Sequence, residues 1–350
     1  MAGELSSIAT RPCIPASALL HGVKTAMQPI VSFVIPAYNA AAFVIRALAS
    51  IEGQTYKPDE VVIVDDGSTD HTGMLVTEFS ETSRLNIVLL QQSNRGSPAA
   101  RNHGIMRSRG DLIAFMDADD YIYPDFLRQM VLGLSHYSSW IACFGDRDVV
   151  QKNGEVIGKD LDHPLFRRIH KTHRQDGFVE LSDDELFAKT VGGSVIPMTI
   201  VCRRPDVVAI SGFDETVLFH EDRIFMLKLI RRGTIGYLDK SLGVWQRHDT
   251  NKTSLANWEK DFAYSDLILA KVLGDKGTFH LSPHEGKIAE HERRKLAARW
   301  IYVASSNRSA TTFSLACKML TQRRITILCA LRAFARYFWS FFRREPRAWI

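Results

Sequence analysis

An α/β fold with a mostly parallel central sheet and helices on both faces is predicted by three features of this 350-residue chain. Strand-like runs alternate with helical periodicity, the runs are too continuously apolar to keep one face wet, and carboxylates cluster just beyond their carboxyl ends. Val31-Ser32-Phe33-Val34-Ile35 is a β-rich run that Pro36 should stop, and Ala40 to Ile51 then carries apolar residues at helical spacing. Val61 to Val64 is a second buried strand, and Asp65-Asp66-Gly67-Ser68-Thr69-Asp70 supplies turn and helix-cap chemistry after it. Leu85 to Leu90 makes a third strand, Ser97 to Arg107 a helix and Leu112 to Met116 a fourth strand. In open sheets of this kind ligands lie beyond the carboxyl ends of the strands. Both Asp65-Asp66 and Asp117-Asp119-Asp120 fall there.

Gly110 to Asp120 is the most informative stretch, because an apolar strand ends in three carboxylates within four positions. Such groups repel one another, and a divalent cation is the functional relief. Mg²⁺ or Mn²⁺ takes oxygen ligands and shares its shell with substrate phosphates, which suits a short Asp-x-Asp. A solvated loop is the plainer reading of Asp117-Ala118-Asp119 alone.

Further on, Trp140 to Ile157 reads as strand, Asn153-Gly154 turn and strand. Ile196 to Cys202 is a strand candidate preceded by Gly192-Gly193-Ser194, and Lys159 to Asp176, rich in His, Arg and Lys, reads as a mobile loop. Helices are expected over Asn257 to Leu273 and Pro283 to Val303.

Four motifs in order, Val31-Ser32-Phe33-Val34-Ile35-Pro36-Ala37-Tyr38-Asn39, Val64-Asp65-Asp66-Gly67-Ser68-Thr69-Asp70, Ala100-Arg101-Asn102-His103-Gly104 and Asp117-Ala118-Asp119-Asp120, resemble those of family 2 glycosyltransferases with the GT-A nucleotide-diphospho-sugar transferase fold. The resemblance covers roughly residues 30–255. It implies a metal-dependent, inverting transfer of a sugar from a nucleotide-diphosphate donor, UDP in the first instance, to a saccharide or lipid-linked acceptor in cell-surface polysaccharide or glycoconjugate synthesis. Carried onto this sequence, it places Pro36, Ala37 and Tyr38 beside the base, with Asp66 and Asp65 accepting from it and one of the two open to a helix-cap role. Arg101 would approach the nucleotide or pair with a nearby carboxylate. Asp117 and Ala118 would face the ribose or metal, Asp119 would bind the metal, and Asp120 would be a ligand or a cap.

Gly212-Phe213-Asp214-Glu215 and His220-Glu221-Asp222 resemble the acceptor-side motif of the same family, with Asp222 as candidate general base and Glu221 as runner-up. The alternative role for both is to favour the positive end of the next helix. Val244-Trp245-Gln246-Arg247-His248, followed by Asn251 and Ser254, resembles the segment that brings a histidine to the metal, so His248 is a third candidate ligand and Arg247 a phosphate contact. Leu296-Ala297-Ala298-Arg299-Trp300 resembles the Gln-x-x-Arg-Trp signature of processive synthases but lacks its glutamine, which implies transfer of one sugar or a short run.

These features divide the chain into an extension (1–29), a catalytic domain (30–255, donor half 30–120 and acceptor half 121–255) and a helical region (256–350). An apolar fraction of 45% excludes a disordered scaffold. Cys13, Cys143, Cys202, Cys317 and Cys329 have neither disulfide-framework nor metal-ligand spacing, so a reducing cytoplasm is expected. Neither a signal peptide nor a membrane-spanning stretch is evident. Residues 317–350 hold eight basic side chains against Glu345, a balance of +7, whereas the whole chain carries +5 and everything before residue 317 therefore sums to −2. Within this tail, Ile325 to Phe342 is apolar and aromatic with interior arginines Arg332 and Arg336, the pattern of an amphipathic helix lying on an anionic membrane, here the inner face of the cell membrane. A helix packed on the domain is the alternative; no nucleic-acid motif accompanies the charge. Two other functions are open: a sugar nucleotidyltransferase, which Pro36-Ala37-Tyr38-Asn39 disfavours because it is not a glycine-rich loop, and a non-catalytic membrane-associated nucleotide-sugar-binding protein, which the presence of Asp117, Asp119 and Asp222 disfavours.

Overall fold

The computed structural model describes residues 28–161, 171–181, 183–192, 199–249, 251, 257–275, 277–306, 312–322, 324–325 and 327–340. Its amino-terminal half is the expected alternation: β1 (Val31–Ala37), α1 (Val44–Glu52), β2 (Glu60–Asp65), α2 (Thr72–Thr82), β3 (Ile87–Gln91), α3 (Ser97–Arg107) and β4 (Leu112–Phe115). These four strands lie parallel in the order β3-β2-β1-β4. Pro36 does not stop β1, which runs on to Ala37 with Pro36 opposite Val64; a proline is tolerated where the ladder needs no N–H from it.

The second half adds β5 (Tyr121–Ile122), α4 (Phe126–His136), β6 (Trp140–Val150), β7 (Val156–Lys159), β8 (Lys171–His173), β9 (Phe178–Leu181), α5 (Asp183–Val191), β10 (Ile200–Arg203), α6 (Arg204–Ala209), α7 (Glu221–Arg232) and β11 (Thr234–Gln246). Here the sheet becomes mixed: β10 lies antiparallel between β4 and β6, and β11 lies parallel to β6. The mobile loop expected over 159–176 is corrected in part, since Lys171–His173 pairs with β9; residues 162–170, Gly193 and Ser194 lie outside the described residues.

Both faces of the sheet are covered, which explains the unbroken apolar runs. Phe33, Ile35, Leu112 and Ala114 enter one core, with α1 and α4, while Val34, Ile113 and Phe115 enter the other, with α7. Alternate side chains of one strand thus serve opposite cores. One contact sets the height of α3 above the sheet. A side chain on Gly104 would bring its Cβ to 2.5 Å from Val34 Cγ1, so only glycine lets α3 lie this close to β1.

Beyond β11 come α8 (Trp258–Gly274), α9 (Pro283–Ser306), α10 (Thr312–Thr321) and α11 (Ile327–Ser340). α9 packs on α5 and α8, and α11 packs on α9. Ala330 and Ala333 are buried in a cluster with Ala297, Ile301 and Met319, whereas Leu331 is 58% exposed. The expected tail helix therefore has one face on the helical region. Side chains from Arg336 onward, and residues 341–350 altogether, lie outside the described residues. Arg299 and Trp300 both pack at the ring of Phe262, which gives that segment a structural place between α8 and α9. Among the described residues no helix is long and apolar enough to cross a membrane.

Candidate active site

Carboxylates from three distant parts of the chain meet at the amino-terminal end of α3. Gly96, at φ 89°, turns the backbone into the helix, and Pro98 occupies its first turn. The Gly96 amide donates to Asp66 Oδ2 at 2.7 Å. The next residue, Ser97, donates its hydroxyl to Glu221. One turn on, Arg101 donates from Nη1 to Glu221 Oε1 at 2.8 Å and from Nη2 to Asp117 Oδ1 at 2.5 Å. A single helix start thus touches all three acidic motifs.

At the first motif, Asp66 is 2% exposed and accepts from Gln92 Nε2, Arg95 N and Gly96 N, all at 2.7–2.8 Å. Three of the roughly four lone-pair sites of its carboxylate are filled, so Asp66 organises the loop before α3 and keeps about one site for a ligand. Asp65 Oδ1 accepts from Ser68 N at 2.9 Å, capping a turn, while Asp70 accepts from Thr72 at the start of α2. Of the three candidates at the end of β1 and just after it, Tyr38 is half exposed whereas Ala37 is buried, its carbonyl holding the Asp66 amide. Ala118 is also buried in the core. These two alanines therefore have chiefly backbone to offer a ligand.

At the Asp-x-Asp motif, Asp117, Asp119 and Asp120 bring carboxylate oxygens within 4.8 Å of one another. Their neighbours sort them. Asp120 is buried, pairs with Arg147 Nη1 at 2.8 Å and accepts from Gln246 N at 3.1 Å; Arg147 also holds Asp160 at 2.6 Å. Asp120 is thereby a brace between the motif and β11, neither helix cap nor open ligand. Asp119 meets His248 Nε2 at 2.9 Å and Asn251 Nδ2 at 3.4 Å, and Phe43 stacks on the His248 ring with centroids 4.4 Å apart. Burial, and then the Asp117 charge, push the Asp119 pKa up, with the His248 contact opposing. Two carboxylates that repel each other beside an imidazole fit Mg²⁺ or Mn²⁺ by donor chemistry. Arg247 is exposed and its guanidinium stands 5.9 Å from the Trp245 ring; Ser254 lies outside the described residues.

Glu221 and Asp222 open α7, as the alternative reading for them required. Glu221 is buried between Ser97 and Arg101. Asp222 accepts from the Arg223 amide at 2.8 Å, and burial followed by repulsion from Glu221 raises its pKa, against the pull of His220 and Arg101. A second bridge runs parallel to the first: Arg95 Nη2 pairs with Glu215 at 2.6 Å, and Asn102 exchanges hydrogen bonds with the Phe213 backbone.

Residues 32–183 match the family described as Glycosyl transferase family 2. This segment is a family 2 glycosyltransferase domain. Among curated relatives, glycosyltransferase GlyA of Streptococcus pneumoniae is 38% identical over 162 residues, 43% of this chain and 23% of that protein. Succinoglycan biosynthesis protein ExoO of Rhizobium meliloti is 40% identical over 139 residues, 40% of this chain and 39% of that protein. The matches thus span less than half the length of these relatives. The fold extends further. TarS 1–349 of S. aureus in complex with UDP-GlcNAc superposes with a TM-score of 0.58 at 19% identity, covering 89% of each chain. The mannosyltransferase PcManGT of Pyrobaculum calidifontis in complex with GDP-Man and Mn²⁺ gives 0.56 at 19% identity, covering 91% of this chain and 89% of that one. The chain accordingly has the GT-A fold with an added set of carboxy-terminal helices.

The sequence did not disclose Ser97, Arg147, Phe43 or Gln92 as partners in the site. Each acts on a residue distant in the chain, and only Ser97, at a helix start just before the Arg101 motif, carried a local signal.

Proposed function

We propose that this chain is an inverting, metal-dependent glycosyltransferase that moves a sugar from a nucleotide-diphosphate donor, UDP-linked in the first instance, to a hydroxyl of a saccharide or lipid-linked acceptor in cell-surface polysaccharide or glycoconjugate synthesis. The observation that carries this reading is the Arg101 bridge, which holds the Asp-x-Asp corner beside the Glu221-Asp222 pair. Further support comes from UDP-GlcNAc bound to TarS, GDP-Man and Mn²⁺ bound to PcManGT, and the succinoglycan name of ExoO.

Asp119 and Asp117, with His248 beside Asp119, would hold Mg²⁺ or Mn²⁺, which when bound neutralises charge on the departing diphosphate. Asp65, Asp66, Pro36, Ala37 and Tyr38 would surround the base, with Tyr38, just past the end of β1, the exposed side chain of the last three. Asp222 accepts the acceptor hydroxyl proton as the oxygen attacks the anomeric carbon and the bond to the diphosphate oxygen breaks on the opposite side, inverting the centre. Its raised pKa suits a proton acceptor, because a carboxylate held less acidic than usual is a stronger base. Glu221, clasped by Arg101 and Ser97, is the poorer base of the two.

Titration calorimetry with UDP tests the donor side: affinity rises with Mn²⁺ in the wild type and loses that dependence in Asp119→Ala. Equal affinity with and without Mn²⁺ in the wild type overturns the metal-dependent reading. Localisation is proposed at the inner membrane face, through the basic tail and the α11 side bearing Leu331 and Arg332. Sedimentation with phosphatidylglycerol vesicles tests it, binding being lost in Arg332→Glu/Arg336→Glu; an unaltered bound fraction counts against it.

A further inference from the structure

Resting on the transferase reading above, we propose that Arg101 is a positioning residue that sets the separation between the metal-holding carboxylates and the acceptor base, with Glu221 as its anchor. The two carboxylates it grips come from different parts of the fold, Asp117 from the end of β4 and Glu221 from the first turn of α7. The Arg101 side chain is only 4% exposed, and its guanidinium lies 5.1 Å from the Phe213 ring, beside the acceptor-side motif. Both terminal nitrogens are engaged, and Nε is buried without a partner among the described residues. Little of this group is left to meet a nucleotide.

The strut is itself held at a defined height. Gly104 lets the α3 backbone rest directly on the Val34 side chain of β1, so the distance from sheet to Arg101 is set by a close contact that no larger residue at 104 would allow. Ser97 fixes Glu221 to the same helix a turn earlier. Asp222 follows Glu221 in sequence, so whatever places Glu221 places the base. A planar fork can span two carboxylates at once, and a lysine ammonium in its place reproduces the charge without that two-pronged geometry. Small displacements of reacting groups are costly: about 1 Å can mean a 100-fold loss of rate.

The test is a double-mutant cycle on steady-state hydrolysis of UDP-GlcNAc with Mn²⁺, using Arg101→Lys, Glu221→Gln and both together. The expected result is that Arg101→Lys lowers kcat about 10-fold or more while KM and UDP affinity stay within about 3-fold. The double variant then loses no more than the worse single variant, because both substitutions break one strut. Ser97→Ala keeps every buried charge paired and is expected to lower kcat by about 3-fold with KM unchanged, so the proposal stays testable where Arg101→Lys fails to fold. A raised KM with kcat retained would show Arg101 contacting the nucleotide and overturn the assignment, as would losses that multiply across the cycle. Absence of turnover in the wild type with every sugar nucleotide offered would instead defeat the transferase reading on which the assignment stands.

Discussion

The two halves of the sheet secure their carboxylates by different means. In the parallel half, Asp65 is capped three residues away and Asp66 is held by the loop that leads into α3, 29 and 30 positions on. In the mixed half, Glu221 depends on Ser97 and Arg101, 124 and 120 positions distant, and Asp120 depends on a strand 126 positions on. The first arrangement stays within consecutive β–α units. The second exists only once the whole chain has folded, so its geometry is exposed to distant substitutions.

The sharpest break in this contrast is Asp222→Asn. Removing the proposed base should lower sugar transfer or donor hydrolysis by about 10²–10⁴-fold while leaving Mn²⁺-dependent UDP affinity unchanged. Equal hydrolysis rates for variant and wild type would move the base elsewhere.

Arg147→Met acts on the long-range half through stability. It strands Asp120 and Asp160 without their shared cation, at a cost of about 3–5 kcal/mol in urea denaturation. A loss below about 1 kcal/mol, the worth of an exposed pair, would mean that water reaches these carboxylates.

The smallest effect concerns His220, whose Nε2 lies 2.5 Å from Asp261 Oδ1. Burial disfavours its charge, yet Asp261 and Asp222 together raise its pKa above the ordinary histidine value. A histidine raised by folding contributes stability that is complete below its unfolded pKa of about 6.5 and is lost as pH climbs through the higher folded value. The melting temperature of the wild type should therefore decline more steeply than that of His220→Gln as pH is raised above about 6.5. Parallel curves would remove His220 from the account.

Legibility followed the same division. The four parallel strands and α3 could be read from the residues because apolar runs, turn chemistry and helix starts are encoded within a few positions of where they act. Asp119 stood out for the same reason, and its meeting with His248, 129 positions away, was legible only through the family resemblance. Asp120 looked as available as Asp119. What separates them is Arg147, an arginine inside an apolar strand whose target no spacing rule names. Asp66 likewise looked free, because backbone amides leave no trace in side-chain identity. The mixed order of the second half was hidden too, since β10 pairs with two strands that are not its neighbours in the chain.

Capture of Asp120 by Arg147 would also bear on how the proposed transfer ends. With Asp120 held by Arg147 and Asp117 sharing its charge with Arg101, a dication held at Asp117 and Asp119 would meet fewer than three full negative charges, and ligand charge count tunes cation affinity. A third open carboxylate would repel the spent diphosphate yet grip its counter-ion, pulling the pair in opposite directions. In the proposed reaction an internal arginine, by engaging one acid, would let ion and by-product leave together.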